Sequence, residues 1–305
     1  MMKNSITLHM NSLKLLHTIR KYGTSYAIAT AFFPKAIRDK VLQLYSFVRM
    51  PDNVVDSGYS LSHYSQAKEQ LQFDLETLAH DYQYMFDDSV VKSGKFGAFL
   101  SLAKSSWLTL DDAEAFYAAM IQDCYKHRYL SMNELSQYMY GSAVIVGLMM
   151  NKIMDCNNTL CNYHGAELAD AMQLTNFLRD IREDYIELDR IYLPSEELAK
   201  FWLTHVDIIN LCRWNNDPGV WKLYKECMKY MVSISRERYR KAEAGYQYLP
   251  EYARTPISLA GALYEWILDK IEANNYDVIT KSARTSLFDK LTIIRTWRKK
   301  QKQWL

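Results

Sequence analysis

Glycine and proline are scarce: ten and six in 305 residues, about 5% of the chain where the two ordinarily make up roughly 12%. Collagen-like, linker-rich and disordered chains need more of both, and all-β folds need them at their turns. Neither G-x-G-x-x-G nor G-x-x-x-x-G-K occurs, so no glycine loop is available to cradle a phosphate. Long apolar runs are missing too. The longest, Ala143 to Met150, falls far short of the ~18 residues of a membrane span. Lys3, Lys14 and Arg20 precede no apolar stretch of the signal-peptide kind, so no signal peptide is expected. Charge of one sign is also lacking: 37 Lys and Arg against 35 Asp and Glu give +2, which does not point to nucleic acid as a partner. The five cysteines, Cys124, Cys156, Cys161, Cys212 and Cys227, are odd in number and form no C-x-x-C pair. They are expected as reduced core thiols of a cytoplasmic protein.

What is present is helical periodicity. From Pro34 to Met50 the apolar residues Ile37, Val41, Leu44, Tyr45 and Val48 follow three- and four-residue steps, and proline suits a first helical turn. A turn cluster at 57–62 separates this helix from a polar one reaching about Leu78. Thr109 or Asp111 reads as the N-cap of the next helix. Further helices are predicted over 112–129, 132–153, 164–186, 217–243 and 256–274, with Pro194, Pro218, Pro250 and Pro256 at or near the joints. Length alone suggests two domains at roughly 150 residues each. No low-complexity linker divides the chain, however, so a single all-α domain over 1–305 is expected. Residues 290–305 form a basic tail without acidic residues, carrying Ile293, Ile294, Trp297, Trp304 and Leu305.

Acidic pairs at i,i+4 arise by chance in a chain where about one residue in nine is acidic, and each is mildly destabilising unless a cation compensates. Two have informative surroundings. Asp52 and Asp56 end a long apolar helix in YSFVRMPDNVVD. Asn176, Asp180 and Asp184 form one stripe in QLTNFLRDIREDY, with Gln173 a turn below, beside Leu174, Phe177, Leu178 and Ile181, which must be buried. Oxygen-only ligands at helical spacing suit a hard cation such as Mg²⁺, which keeps waters and shares its remaining positions with phosphate oxygens. Arg49, Arg179, Arg182 and Arg190 lie close by in sequence, and arginine grips phosphate oxygens bidentately. Together these describe a diphosphate site, although surface ion pairs would produce the same spacings. Carboxylate-bridged di-iron bundles need E-x-x-H on two helices. No histidine here has Glu three residues before it, and His164 reads as a capping or surface residue. No G-x-S-x-G string marks a serine nucleophile.

Four ordered blocks resemble the squalene/phytoene synthase family of head-to-head prenyltransferases. They are FPKAIRDKVLQLYSFVRMPDNVVD, DCYKHRYLSMNELSQYMYGSAVIVG, ADAMQLTNFLRDIREDYIELDRIYLP and KAEAGYQYLPEYARTPISLAGALYEWILDKIEANNYDV. The resemblance implies a helical bundle around one central cavity, with the two aspartate helices facing each other. It assigns Asp52, Asp56, Asn176, Asp180 and Asp184 to Mg²⁺ (or Mn²⁺), Arg49 and Arg179 to the diphosphates and Gln173 to a polar position of the site, with Arg190 a further candidate for substrate binding. Tyr26, Tyr45, Tyr140 and Tyr264 would surround the cavity, with Tyr140 among the catalytic residues.

The implied reaction ionises one prenyl diphosphate and condenses it with a second through a cyclopropyl diphosphate. Geranylgeranyl diphosphate giving phytoene is the first expectation. Squalene or dehydrosqualene formation from farnesyl diphosphate, or a catalytically silent relative acting as a binding protein, are the alternatives. The hydrophobic anchor of eukaryotic squalene synthases is not seen, so NADPH is not expected. Modest side chains at Thr30 and Leu42 favour C20 donors if they border the cavity. Four positions depart from the family pattern: Asn53 for a second adjacent Asp, Thr24 for Lys, and Gly141 and Glu265 where many relatives carry Arg. Leu148, Met149 and Met150 read as core, and Gly141, Ser142, Ala143 and Gly147 as close helix packing or as room for an isoprenoid. Contact of the basic tail with anionic lipid on the inner face of the cell membrane is a further expectation.

Overall fold

The computed structural model describes residues 24–56, 60–214 and 217–301; the first half of the 57–62 turn cluster, Trp304 and Leu305 lie outside them. Helices α1 (Thr24–Thr30), α2 (Lys35–Asp56), α3 (Leu61–Gln83), α4 (Asp88–Ser93), α5 (Gly97–Ser106) and α6 (Leu110–Asp123) form the first half. Then come α7 (Met132–Met139), one widened turn at Tyr140–Val144, α8 (Ile145–Ile153), α9 (Thr159–Arg179) and α10 (Ile181–Leu188). Short α11 (Ser195–Ala199) and α12 (His205–Cys212) lead to the long α13 (Pro218–Glu243) and α14 (Glu251–Ala273), and α15 (Leu287–Gln301) follows. Among the described residues the only β pairing is an isolated parallel bridge between Arg128 and Ile191.

Local chemistry explains the helix ends. Thr109, not Asp111, caps α6: its hydroxyl accepts from the Asp112 amide, and the Asp112 carboxylate accepts from the Thr109 amide at 2.7 Å, a reciprocal capping box. Asn158 caps α9 by accepting from the Cys161 amide at 3.0 Å, so this helix starts five residues earlier than the expected 164. It also stops earlier, at Arg179, because the Asp180 backbone leaves helical geometry before α10 resumes. The expected helix over 132–153 is divided by the widened turn, where the Ile145 amide reaches back to the Tyr140 carbonyl. Pro256 is no joint. It lies inside α14 and is buried, so the Tyr252 carbonyl gives up its ordinary helical donor. Helices α1, α4, α5, α11 and α12 lie outside the expected spans, being shorter than the roughly 11–18-residue window in which helical periodicity is read.

The central helices are two-faced. On α2, Val41, Leu44, Phe47, Pro51 and Val55 are buried in the core, while Tyr45, Arg49, Asp52 and Asp56 form a second stripe. On α9, Ala171, Leu174, Thr175 and Leu178 turn inward. This helix packs most extensively on α13. The Thr175 hydroxyl there donates to the Ala171 carbonyl at 2.7 Å and meets Ser235 Oγ at 3.2 Å and Tyr239 Oη at 3.0 Å. Buried polar groups so satisfied fix one register between the two helices.

Two expectations are corrected here. Cys156 and Cys161 are paired in a disulfide at the joint before α9, whereas Cys124, Cys212 and Cys227 are free and buried. Spacing in sequence did not show that the α8–α9 turn brings the first two together. The C-terminal segment is also less of a tail than expected: Ile293 is buried, Ile294 and Trp297 pack with Leu259 and Leu263, and Trp297 Nε1 donates to Ser258 Oγ at 3.2 Å.

Gly141 serves packing. A Cβ there would lie 2.6 Å from the Ala115 carbonyl oxygen and 2.8 Å from Ala119 Cβ, which only a shift of α6 could relieve. Gly141→Ala should therefore lower stability by about 1–3 kcal/mol; urea titration followed by circular dichroism measures it.

Candidate active site

One cavity of about 590 Å³ runs through the bundle. At one end α2 supplies Tyr45, Arg49, Asp52 and Asp56, and the α9–α10 break supplies Gln173, Asn176, Arg179, Asp180 and Asp184. Arg190 and the α14 residue Tyr264 complete this polar end, with Tyr26 from α1. The remainder is apolar or small: Leu44, Val48, Phe116 and Met120 on one side, Ala143, Val146, Gly147 and Met150 beside the widened turn, and Leu168, Ala169 and Met172 on α9. Both metal-type stripes proposed from spacing thus face one space, from helices about 130 residues apart in the chain.

Each carboxylate stripe is met by arginine. Arg49 pairs with Asp52 one turn away. The Arg179 guanidinium grips Asp180 in a fork, with Nε–H donating to Oδ1 at 2.7 Å. Arg190 is 3% exposed; its Nη1 lies 3.5 Å from Asp56 Oδ1 and its Nη2 donates to the Asp123 carbonyl at 3.2 Å. Burial, then the charge of Asp56, pushes Asp52 up to about 6. Burial likewise raises Asp56, and burial with the charge of Asp180 holds Asp184 well above the usual carboxylate range. Asp123 makes a fifth carboxylate on this cavity, pushed by burial up to about 7 against the pull of Arg190. Fully ionised, five carboxylates against three guanidiniums would leave two negative charges in excess, and the raised values of Asp52, Asp123 and Asp184 reflect burial and, beyond it, that crowding.

That imbalance, together with a donor set made only of oxygens, fits a divalent hard cation. Among the described residues no three His, Cys, Asp or Glu side chains converge on one point. The arrangement therefore suits ions that take few protein ligands and leave the rest of their shell to water and phosphate.

The rings divide into two groups. Tyr26 stacks on Tyr45 with centroids 5.3 Å apart, and burial, with Tyr264 and Tyr45 nearby, raises the Tyr26 phenol. The second group lies beside Arg190 and Asp123: Phe177 stacks on Tyr192 at 3.9 Å and Tyr138 on Tyr192 at 5.7 Å. All three line the cavity. Such faces stabilise a nearby cation by roughly 0.5–2 kcal/mol each.

Most expected site residues converge, but three positions need correction. Tyr140 is 50% exposed and borders no part of the cavity. The inward positions of α7 are Leu135, Tyr138 and Met139, so Tyr138 takes the place expected of Tyr140. Thr30 and Leu42 are buried in the core and line nothing. His164 keeps the capping role expected of it, its Nδ1 2.7 Å from the Lys241 carbonyl in the last turn of α13, and it also lines the far end of the cavity with Gly165, Met154 and Leu249. Leu148 and Met149 are core as expected, while Met150, Ser142, Ala143 and Gly147 line the cavity. Arg182 stacks on Trp214 at 4.7 Å, outside the cavity. Glu265, at a family arginine position, is paired instead with Arg236 at 3.2 Å. Sequence reasoning missed Asp123, Tyr138 and Tyr192. None has a partner of its own kind at helical spacing, and only the fold brings them together.

An all-α cavity with two facing aspartate stripes is the architecture of isoprenoid synthases, and comparison places it there. The squalene/phytoene synthase family model matches residues 19–289, and the chain belongs to that family of prenyltransferases. It is 30% identical over 275 residues to the 15-cis-phytoene synthase of Synechocystis sp., covering 86% of this chain and 77% of that one. The phytoene synthase of Arthrospira platensis is 29% identical over 294 residues, covering 92% and 86%. Among solved structures, a dehydrosqualene synthase in complex with ligand shares the fold at a TM-score of 0.78 and 19% identity, over 97% of this chain and 98% of that one. A squalene synthase from Alicyclobacillus acidocaldarius does so at 0.69 and 20%, over 89% and 96%.

The crowded carboxylates predict a pH signature. A carboxyl with a higher pKa folded than unfolded (~3.9) takes up a proton on folding, so its favourable contribution is lost as pH rises through the folded value. For Asp52 that value is about 6. The stability of Asp52→Asn relative to wild type should therefore increase between about pH 4 and 6 (the window these two pKa values bound) and level off above it. Urea midpoints without divalent ions measure this.

Proposed function

We propose that the protein condenses two prenyl diphosphates head to head, with geranylgeranyl diphosphate as donor and acceptor and phytoene as product. The observation that carries this reading is the joining of two arginine-backed carboxylate stripes to a deep apolar chamber in one cavity. An anionic head group and a long hydrocarbon would each find a matching environment there. The phytoene synthases about 30% identical to this chain support the C20 choice.

Asp52, Asp56, Asn176, Asp180 and Asp184 would hold Mg²⁺, or Mn²⁺ in its place, and this metal supplies positive charge to the departing diphosphate. The chain's own residues do the rest. Arg49, Arg179 and Arg190 grip diphosphate oxygens and lower the cost of the charge that accumulates as the carbon–oxygen bond breaks. Gln173, a turn below Asn176, orients the head group. Loss of diphosphate leaves an allylic cation, which must meet the double bond of the second substrate before it meets water. Leu44, Val48, Phe116, Met120 and Val146 exclude water from that part of the cavity, and Tyr26, Tyr45 and Tyr264 turn ring faces or phenols towards it. A cyclopropyl diphosphate forms, ionises in turn and rearranges, and without a hydride donor such as NADPH the sequence ends by proton loss.

Purified protein incubated with Mg²⁺ and either C15 or C20 diphosphate, with and without NADPH, should yield phytoene from the C20 donor, identified by mass. Dehydrosqualene or squalene from the C15 donor would replace this reading, and no hydrocarbon from either would favour a silent relative. Asp180→Asn should lower turnover by at least ~10²-fold, the scale on which lost transition-state charge stabilisation is felt. Tyr140→Phe should leave it unchanged.

We also place the protein in the cytoplasm, against the inner face of the cell membrane. No helix among the described residues is long and apolar enough to cross a membrane. With Ile293 and Trp297 turned inward, the outer face of α15 keeps Phe288 (75% exposed), Leu291 (51%) and the exposed Arg295, a combination that suits an anionic lipid surface. Replacing Phe288 and Leu291 by Ser and Arg295 by Glu should weaken co-sedimentation with anionic liposomes; unchanged binding would remove the assignment.

A further inference from the structure

Asp123 is the one cavity carboxylate that stands outside the two aspartate stripes. It is 4% exposed and ends a stripe on α6 in which Met120 and Phe116, one and two turns before it, also line the cavity. It therefore sits where the apolar wall meets the polar end. Its Oδ2 accepts from the Tyr138 phenol at 2.8 Å, whereas its Oδ1 is buried without any hydrogen-bond partner. Arg190 does not neutralise it as a salt bridge, because the guanidinium donates to the Asp123 backbone carbonyl. An unsatisfied buried carboxylate oxygen is costly, and here that oxygen belongs to a residue on the wall of the reaction chamber.

The charged and titratable groups around it are Arg190, the Cys124 thiol and the phenols of Tyr138, Tyr129, Tyr192 and Tyr64, with Asp56 and Asp52 beyond. Burial, against the pull of Arg190 and the Tyr138 bond, leaves the carboxyl at about 7, where a group both accepts and releases protons at neutral pH. Burial raises the phenols of Tyr138 and Tyr192, so they stay protonated and act as donors. Of the other chamber residues, Ser142 and Asn151 are too weakly basic, and His164 lies at the far end.

We propose that Asp123 is the base that ends the reaction, its unpartnered Oδ1 taking the proton that the last carbocation loses. This rests on the condensation proposed above. The C–H bond next to the cationic carbon breaks, its electron pair becomes the new carbon–carbon double bond, and the proton bonds to Oδ1. Nothing is oxidised or reduced, so no co-reactant is needed. Tyr138 holds the carboxylate in place through Oδ2 and is a positioning residue in this step.

The test follows single turnovers of the full-length protein with Mg²⁺ and geranylgeranyl diphosphate, resolving cyclopropyl diphosphate, hydrocarbons and alcohols by mass. Asp123→Asn should consume substrate at close to the wild-type rate but form the normal hydrocarbon at least ~10²-fold more slowly, the scale of a lost general base. Alcohols from water capture and isomeric hydrocarbons should replace it. Tyr138→Phe, checked for folding by its melting profile, should shift products the same way to a smaller degree and serves if the Asn variant does not fold. Three outcomes overturn the assignment: an unchanged product distribution in the folded variants, an equal loss of both half-reactions, or the same product shift from His164→Gln instead. Wild-type protein that makes no hydrocarbon from C15 or C20 donors overturns the condensation itself, and this step with it.

Discussion

The site depends on a buried guanidinium. Arg190 joins Asp56 at the end of α2 to the carbonyl of Asp123 at the end of α6, and its own amide donates to the Asp184 carbonyl at 3.0 Å, closing α10. Three helices distant in sequence are thereby tied at one point. The strand-like bridge between Arg128 and Ile191, the Ile191 amide donating to the His127 carbonyl at 3.0 Å, sets the segment that carries Arg190. The Tyr64 ring lies 5.9 Å from the guanidinium and its phenol donates to the Leu188 carbonyl at 3.0 Å, closing the same corner from α3. Removing one partner from so buried an ionic cluster leaves the others uncompensated, which typically costs more than the cluster contributes when intact.

Around that point the chain solves a problem set by its composition. With few glycines it has no backbone loop to wrap an anion, so the polar end is made from helix side chains, in stripes that share a helix with core residues. On α2 the same 22 residues bury Val41, Leu44 and Phe47 and present Arg49, Asp52 and Asp56 to the cavity. Where a stripe had to change direction, the helix was altered instead of ended. Pro51 removes one backbone bond just before Asp52, Asp180 interrupts α9, and the widened turn at Tyr140–Val144 redirects α7 into α8. Irregular turns of this last type recur at functional sites, since they reposition side chains without breaking a helix.

The sequence was legible where the signal is periodic. The long amphipathic helices and both aspartate stripes follow from three- and four-residue spacings, and the arginines from proximity. Arg182 shows the limit of proximity: three residues from Arg179, it points to Trp214 on another surface. Tyr140 shows the limit of resemblance, because a widened turn begins there and the inward tyrosine is Tyr138. Asp123 and His164 are invisible to spacing for a plainer reason. Neither has a residue of its own kind three or four positions away, and their partners Arg190 and Lys241 stand 67 and 77 residues off in the chain. The pairing of Cys156 with Cys161 likewise depends on the geometry of a turn that composition does not encode.

A reaction of the proposed kind creates an anion and a cation in one confined space, and the two must be kept from recombining. Two unit charges about 6 Å apart attract by about 3 kcal/mol at an effective dielectric of 20, enough to return a fresh cation to its diphosphate. Lowering the charge on the anion weakens that pull, and Arg49, Arg179 and Arg190 all stand on the anion's side. Holding the cation by something uncharged weakens it further without creating a new covalent trap, which is what the stacked Phe177, Tyr192 and Tyr138 rings offer. A carboxylate facing a carbocation risks capturing it as an ester. Asp123 lessens that risk because one of its oxygens is already committed to Tyr138. The same desolvation that makes the residue costly in the resting protein raises its proton affinity to where a terminal deprotonation needs it.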